Sequence, residues 1–243
     1  MSPRKIETFK ERWNELYRNF NNGSDNQAFL MRLRRAISWL DRAQQVKGEG
    51  VKGTSKDVDA QFIFLWIGFN ALYARDPRKP INDEQNSSKA AFRKYFNILL
   101  NLDGGARRHV FKVVENSIRK EIDRLLDNRF VSTEFWDYHQ GISKRANRQK
   151  WSITLKGKLH LRDTDKILSL VFARLYVLRN QLMHGSATWK GGLNYPQLRE
   201  GTKIMHWLLP AFIDIMLKNP EADWGKVFYP RVEEKSIDPF VLL

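Results

Sequence analysis

The stretch LRNQLMHGSAT, Leu178 to Thr188, closes an apolar run with an arginine, an asparagine and a histidine, followed at once by a glycine. If the run is helical, Asn180 and His184 are four apart and therefore side by side. Arg179 lies on an adjacent face, with a stem long enough to bring its forked guanidinium to the same anion. His184 would sit in the last turn, where the partial negative charge of the helix end favours the imidazolium while Arg179 favours the neutral ring. Opposed pushes of this kind suit a group that must both take and give a proton. Gly185 lets the chain turn away in a left-handed conformation and keeps the imidazole accessible. An imidazole to move protons and a guanidinium to steady developing negative charge is chemistry that fits a phosphodiester.

The bare spacing of Arg and His carries little by itself, because it arises readily by chance. Arg199 and His206 show it too, without the Asn after the Arg or the Gly after the His. The fuller string Arg-Asn-x-x-x-His-Gly at the end of an apolar helix is the informative feature.

The rest of the chain has to hold that end in place. The 243 residues are 42% hydrophobic and 12% aromatic, enough for a sizeable core in one domain spanning 1–243. Apolar residues recur at helical spacing almost throughout and period-two alternation is scarce, which predicts an all-α fold. Ile6, Phe9, Trp13, Leu16, Tyr17 and Phe20 mark a first amphipathic helix ended by NNG, and Phe29, Leu30, Leu33, Ile37 and Leu40 a second ended by KGEG. FIFLWIGFNALYARD, Phe62 to Asp76, is apolar on most sides and must be central, with Pro77 and Pro80 to stop it. Ala90–Leu100 and Val110–Leu126 read as two more helices. The helix from about Thr164 to His184 has three apolar faces, which predicts burial against its own core and against another element or subunit. After a glycine-bearing loop, WKGGLNYP, comes a last helix from Pro196 to about Lys218, kinked at Pro210. The tail from about 220 to 243 should be irregular, docked by Trp224, Phe228, Tyr229 and Phe240.

Between Tyr138 and Arg162 there are seven basic residues and no acid, which marks this segment as a basic arm or loop. Lys144, Arg145, Arg148, Lys150 and Trp151 within it could track a nucleic-acid backbone and stack a base; an ordinary solvated loop is the competing reading. The whole chain has 42 Lys and Arg against 27 Asp and Glu, a net charge of +15 that attracts polyanions. The absence of cysteine removes thiolate nucleophiles and cysteine-ligated zinc. With no signal-peptide pattern and no apolar run of membrane-spanning length, the expected location is cytoplasmic, away from any membrane. GEGVKGTSK, Gly48 to Lys56, lacks the lysine and the preceding strand of a phosphate loop. Glu121, Asp123 and Asp127, flanked by Arg119, Lys120, Arg124 and Arg129, read as surface ion pairs rather than metal ligands. His109, His139, His160 and His206 show no ligand spacing, so neither a metal nor a cofactor is expected.

RNQLMHG resembles the Arg-Asn-x-x-x-His form of the motif of the HEPN superfamily, and FIFLWIGFNALYARD resembles the Phe-x-x-x-Trp-x-x-Phe-Asn-Ala-Leu-Tyr helix of HEPN domains in prokaryotic defence proteins. The all-helical pattern extends the likeness loosely over most of the chain. The resemblance implies a HEPN-like helical bundle with extra helices. It also implies a homodimer and a metal-independent endoribonuclease acting as a toxin or antiviral effector. On that basis Arg179 and His184 would be catalytic with Asn180 supporting, RNA would be the substrate, and an antitoxin or a defence-system protein a further partner. The mechanism expected is attack of the RNA 2′-hydroxyl on the adjacent phosphate. Asn70 and Trp66 are secondary candidates for lining the cleft, although an aromatic in so apolar a helix belongs more naturally in the core. The alternative is a non-catalytic module of the same fold that binds RNA, nucleotide or a partner protein. A membrane-surface role driven by charge would need a basic amphipathic helix, and none is evident.

Overall fold

The computed structural model describes residues 3–20, 24–48, 57–74, 88–104, 108–157 and 159–227, and among them every regular element is helical. The order is α1 (Pro3–Asn19), α2 (Ser24–Gly48), α3 (Val58–Tyr73), α4 (Ser88–Leu102), α5 (His109–Lys112), α6 (Arg119–Asp127), α7 (Thr133–His139), α8 (Thr164–Met183) and α9 (Tyr195–Lys218). No helix among these residues is long and apolar enough to cross a membrane.

Helix α3 is the axis of the bundle, as its nearly unbroken apolar sequence demands. Phe62, Leu65, Phe69 and Leu72 are fully buried, and Asp57 starts the helix by accepting the Ala60 N–H at 3.0 Å. Helices α2 and α8 run antiparallel to α3, and α9 runs parallel to it. Trp39 of α2 stacks on Phe64, Phe172 of α8 meets Phe69 at 4.4 Å, and Phe212 of α9 meets Phe69 at 6.1 Å. Phe92 and Phe96 of α4 close the aromatic centre against Phe69 and Phe172. Gly201 lets α8 and α9 approach closely: a Cβ there would meet Leu175, Leu178 and Phe62 at 3.0–3.1 Å.

Arg32 is 2% exposed and donates to the carbonyls of Ala71, Leu72 and Ala74, the orphan acceptors at the end of α3, and to those of Gly225 and Lys226. One guanidinium thus caps the central helix and ties the chain after α9 to it. Trp224, buried as expected, adds a contact with Tyr95 and donates to the Asn219 carbonyl at 2.9 Å.

Two expectations need correction. The predicted helix Val110–Leu126 is interrupted by a π-helical turn, Val113–Ser117, so that α5 and α6 are separate segments. A further helix, α7, stands where none was expected; its aromatic residues pack across the entrance to the basic segment. Of the two forms expected for that segment, an arm or a loop, the structure shows the loop. The Lys150 and Trp151 carbonyls accept from Arg174, the Ile153 N–H donates to the Leu126 carbonyl, and Arg119 donates to the carbonyls of Leu155 and Gly157. It is a laced loop with short 3₁₀ turns at Arg148–Lys150 and Leu161–Asp163. Helix α9 continues across Pro210. The NNG stop, most of the Gly48–Lys56 stretch, Pro77, Pro80, Phe228, Tyr229 and Phe240 lie outside the described residues.

Candidate active site

Helix α8 is buried through its middle turns and ends in solvent. Leu168, Val171, Phe172, Leu175 and Leu178 are fully buried, and Arg179, Asn180, Gln181 and Leu182 are half-buried. Met183 is 53% exposed and His184 is exposed. Of the three faces, only that of Leu168, Val171, Leu175 and Leu178 is fully covered within the chain. Ala173 and Val177, on the face that leads up to His184, are half-buried.

The helix end is a Schellman closure. The Gly185 N–H bonds to the Leu182 carbonyl at 3.2 Å, the Ser186 N–H to the Gln181 carbonyl at 2.8 Å, and Gly185 has φ +71°. The His184 N–H is satisfied by the Asn180 carbonyl at 3.0 Å, so its backbone is fixed while its imidazole makes no side-chain hydrogen bond among the described residues. Arg179 donates through Nη1 to Asn180 Oδ1 at 3.0 Å, and its Nε is buried without a partner. The guanidinium steadies the amide that neighbours His184 on the next turn down.

At about 100° per residue, Asn180 lies about 40° to one side of His184, with Arg179 beyond it, and Gln181 lies about 60° to the other. Gln181 Nε2 donates to the Phe130 carbonyl at 2.8 Å. The histidine therefore stands between an arginine flank and a flank made by the segment before α7. On the arginine flank, the Tyr73 hydroxyl is pushed well above its usual range, first by burial and then by Tyr176, with the positive charge of Arg179 opposing.

The loop after Gly185 is fastened to the start of α3. Trp189 Nε1 donates to Asp57 Oδ2 at 3.3 Å. Burial raises the Asp59 carboxyl and the charge of Asp57 raises it further, with its own backbone N–H and then Lys190 partly opposing both.

Trp66 is a core residue, 3% exposed, with its ring 5.7–6.3 Å from those of Phe62, Phe69, Phe92 and Tyr176. It lines no cleft. Asn70 is half-buried, and its carbonyl accepts the Ala74 N–H at 2.8 Å at the end of α3.

Lys144, Arg145, Arg148 and Lys150 are all exposed. Trp151 is half-buried among Phe135, Tyr138 and His139, with the Arg148 guanidinium 5.9 Å from its ring, so it is a packing residue of the loop rather than a free stacking surface. The loop is anchored on the motif helix itself. Arg174, 4% exposed, donates to the Lys150 and Trp151 carbonyls at 3.0 and 3.1 Å. Burial disfavours its charge and Glu134 partly restores it. Arg174 lies ten residues before His184, about 15 Å along the axis.

Sequence reasoning did not single out Arg174, Gln181 or Phe130. For Arg174 a signal was present, a lone charge inside LVFARLYVL; for the other two only the tertiary contact reveals them. No group of three or more metal-ligating side chains occurs among the described residues. Glu121 and Asp123 are held in ion pairs with Arg124, Lys203 and Arg119, and Asp127 accepts from Ser152. Compared with family models, with curated proteins and with solved structures, the chain matches none.

Proposed function

We propose that the chain is a metal-independent endoribonuclease of HEPN type, serving a toxin or antiviral system. The reading is carried by one observation: the exposed end of α8 sets a solvent-facing imidazole, fixed at its backbone, one turn from an amide held by a guanidinium. His184 takes the proton of an RNA 2′-hydroxyl as its oxygen attacks the adjacent phosphorus. The 5′-oxygen leaves with a proton from a second imidazole, and a 2′,3′-cyclic phosphate remains. Arg179 balances charge on the phosphate oxygens in the transition state, and Asn180 orients it. With one motif histidine per chain, acid and base come from two copies in a homodimer. The laced basic loop on the same helix supplies cations for the strand.

Incubation with RNA, matched DNA and RNA carrying 2′-deoxy sugars, with and without EDTA, tests this. Cutting of RNA alone, indifferent to chelator and lost in His184→Ala, is expected; cutting that survives the substitution sinks it. One observation favours the second reading, a binding module without catalysis. The Arg179 guanidinium is half-buried, engaged with Asn180 and within electrostatic reach of Tyr73, rather than free at the surface. Binding of RNA without any cleavage decides for that reading.

A further inference from the structure

Phe130 is 44% exposed although its backbone is fully tied down. Its N–H donates to Asn128 Oδ1 at 2.9 Å, and its carbonyl accepts from both Trp136 Nε1 and Gln181 Nε2 at 2.8 Å. The flanking Val131 and Ser132 are fully buried, and the ring is braced edge-on by Phe135 at 5.4 Å. An apolar ring left in water on so rigid a mount loses little conformational freedom when something stacks on it. The Arg129 guanidinium, itself exposed, stands 5.0 Å from the ring centroid and adds a cation at the same point. Gln181 and His184 are three residues apart on the last turn, so their Cβ atoms are about 5–6 Å from each other. The ring is thereby moored to the turn that carries the imidazole.

We infer that Phe130, with Arg129, is a base-stacking subsite for single-stranded RNA, holding a nucleotide next to the phosphate presented to His184. This rests on the reading of the site as RNA-handling. The charge around it fits a nucleic acid strand better than a protein surface. Arg129 is at the ring, Arg148 and Lys150 are exposed on the loop packed behind α7, and the nearby Glu134 is occupied by Ser132 at 2.9 Å. Stacking on an aromatic face is tolerant of base identity, so the subsite sets the position of the strand rather than a strict sequence.

The test measures binding of a fluorescein-labelled twelve-nucleotide single-stranded RNA, by anisotropy, to full-length protein in a His184→Ala background that cannot consume the probe. Phe130→Ala is expected to weaken binding by about 5- to 100-fold, the loss that removal of one base–aromatic stack produces. Phe130→Leu, which keeps apolar bulk against Phe135 without a π face, should lose nearly as much. Phe130→Trp should restore it, and thermal melts report whether each variant is folded. Equal affinity in the parent, Ala and Leu proteins overturns the subsite, as does rescue by Leu, or a parent that binds no RNA. Cleavage by the wild-type protein is scored separately. Phe130-dependent binding without cleavage keeps the subsite and rejects the nuclease, whereas cleavage with binding indifferent to Phe130 does the reverse.

Discussion

Gly185 is held at φ +71° with nothing within 4 Å of where a Cβ would stand. An alanine there meets no neighbour, so its cost is the backbone strain alone, about 1–2 kcal/mol. Gly185→Ala should lower Tm by about 2–8 °C, and Gly185→Asn by less, since asparagine tolerates this conformation best among the other residues. If His184 works as proposed, RNA cleavage should fall further in the alanine variant than its stability loss explains, because relaxing the closure moves the imidazole. An unchanged rate at a temperature where the variant is fully folded contradicts that role. Asp59 offers a second single-residue measurement. Its carboxyl is raised above 3.8 by burial and by Asp57, so folding takes up a proton across that interval and stability falls as pH rises through it. Asp59→Asn keeps the shape of the side chain and removes the buried charge. It should therefore melt higher than wild type at neutral pH and equally with it below about pH 3, where the carboxyl is protonated in both states. A variant that melts lower at neutral pH would show that the charge is needed to fasten the loop.

At the scale of elements, the decisive contact is between α8 and the basic loop. Arg174 gives the loop two hydrogen bonds from a site where burial already disfavours its charge, so replacing it loses the bonds but also relieves desolvation. Arg174→Met should cost about 1–3 kcal/mol. It should also open the chain near Arg145 and Lys150 to trypsin well below the melting transition. Retained protease resistance there would mean that Arg119 and Ile153 suffice to lace the loop. This contact also marks where the sequence stops being legible. Helices α3, α8 and α9 were readable because their apolar period exceeds any turn signal, and the Schellman end of α8 because Gly follows a polar cluster directly. The loop was readable as basic but not as anchored, since its partners Leu126, Arg119 and Arg174 come from distant positions and act mainly on backbone carbonyls. The π turn at Val113–Ser117 leaves the apolar pattern of Val110, Val114, Ile118 and Ile122 intact, which made one continuous helix the natural reading. Phe130 was invisible for the opposite reason: its exposure contradicts its type, and only the three bonds on its backbone show why it stays out.

Over the whole molecule the charge excess is +15, and several of the acids have fixed partners within the fold. Asp103 caps α5 through the N–H groups of His109 and Val110, Glu200 pairs with Arg124 and Arg199, and Asp214 with Arg12 and Lys218. The exposed cations of the basic loop have no such neighbours in their own stretch, which has no acid from Tyr138 to Arg162. If the chain cuts RNA as proposed, each copy offers one motif histidine for a reaction that needs both an acid and a base. This makes the subunit count measurable through activity. When wild-type and His184→Ala chains are refolded together in equal amounts and allowed to pair at random, cleavage that needs a histidine from each of two copies should fall to about one quarter of the all-wild-type rate. Cleavage that uses a single copy should fall only to about one half. The quadratic result would assign the acid and the base to partner subunits. The linear one would require a second proton carrier within the chain, for which the described residues place no other imidazole on the last turn of α8.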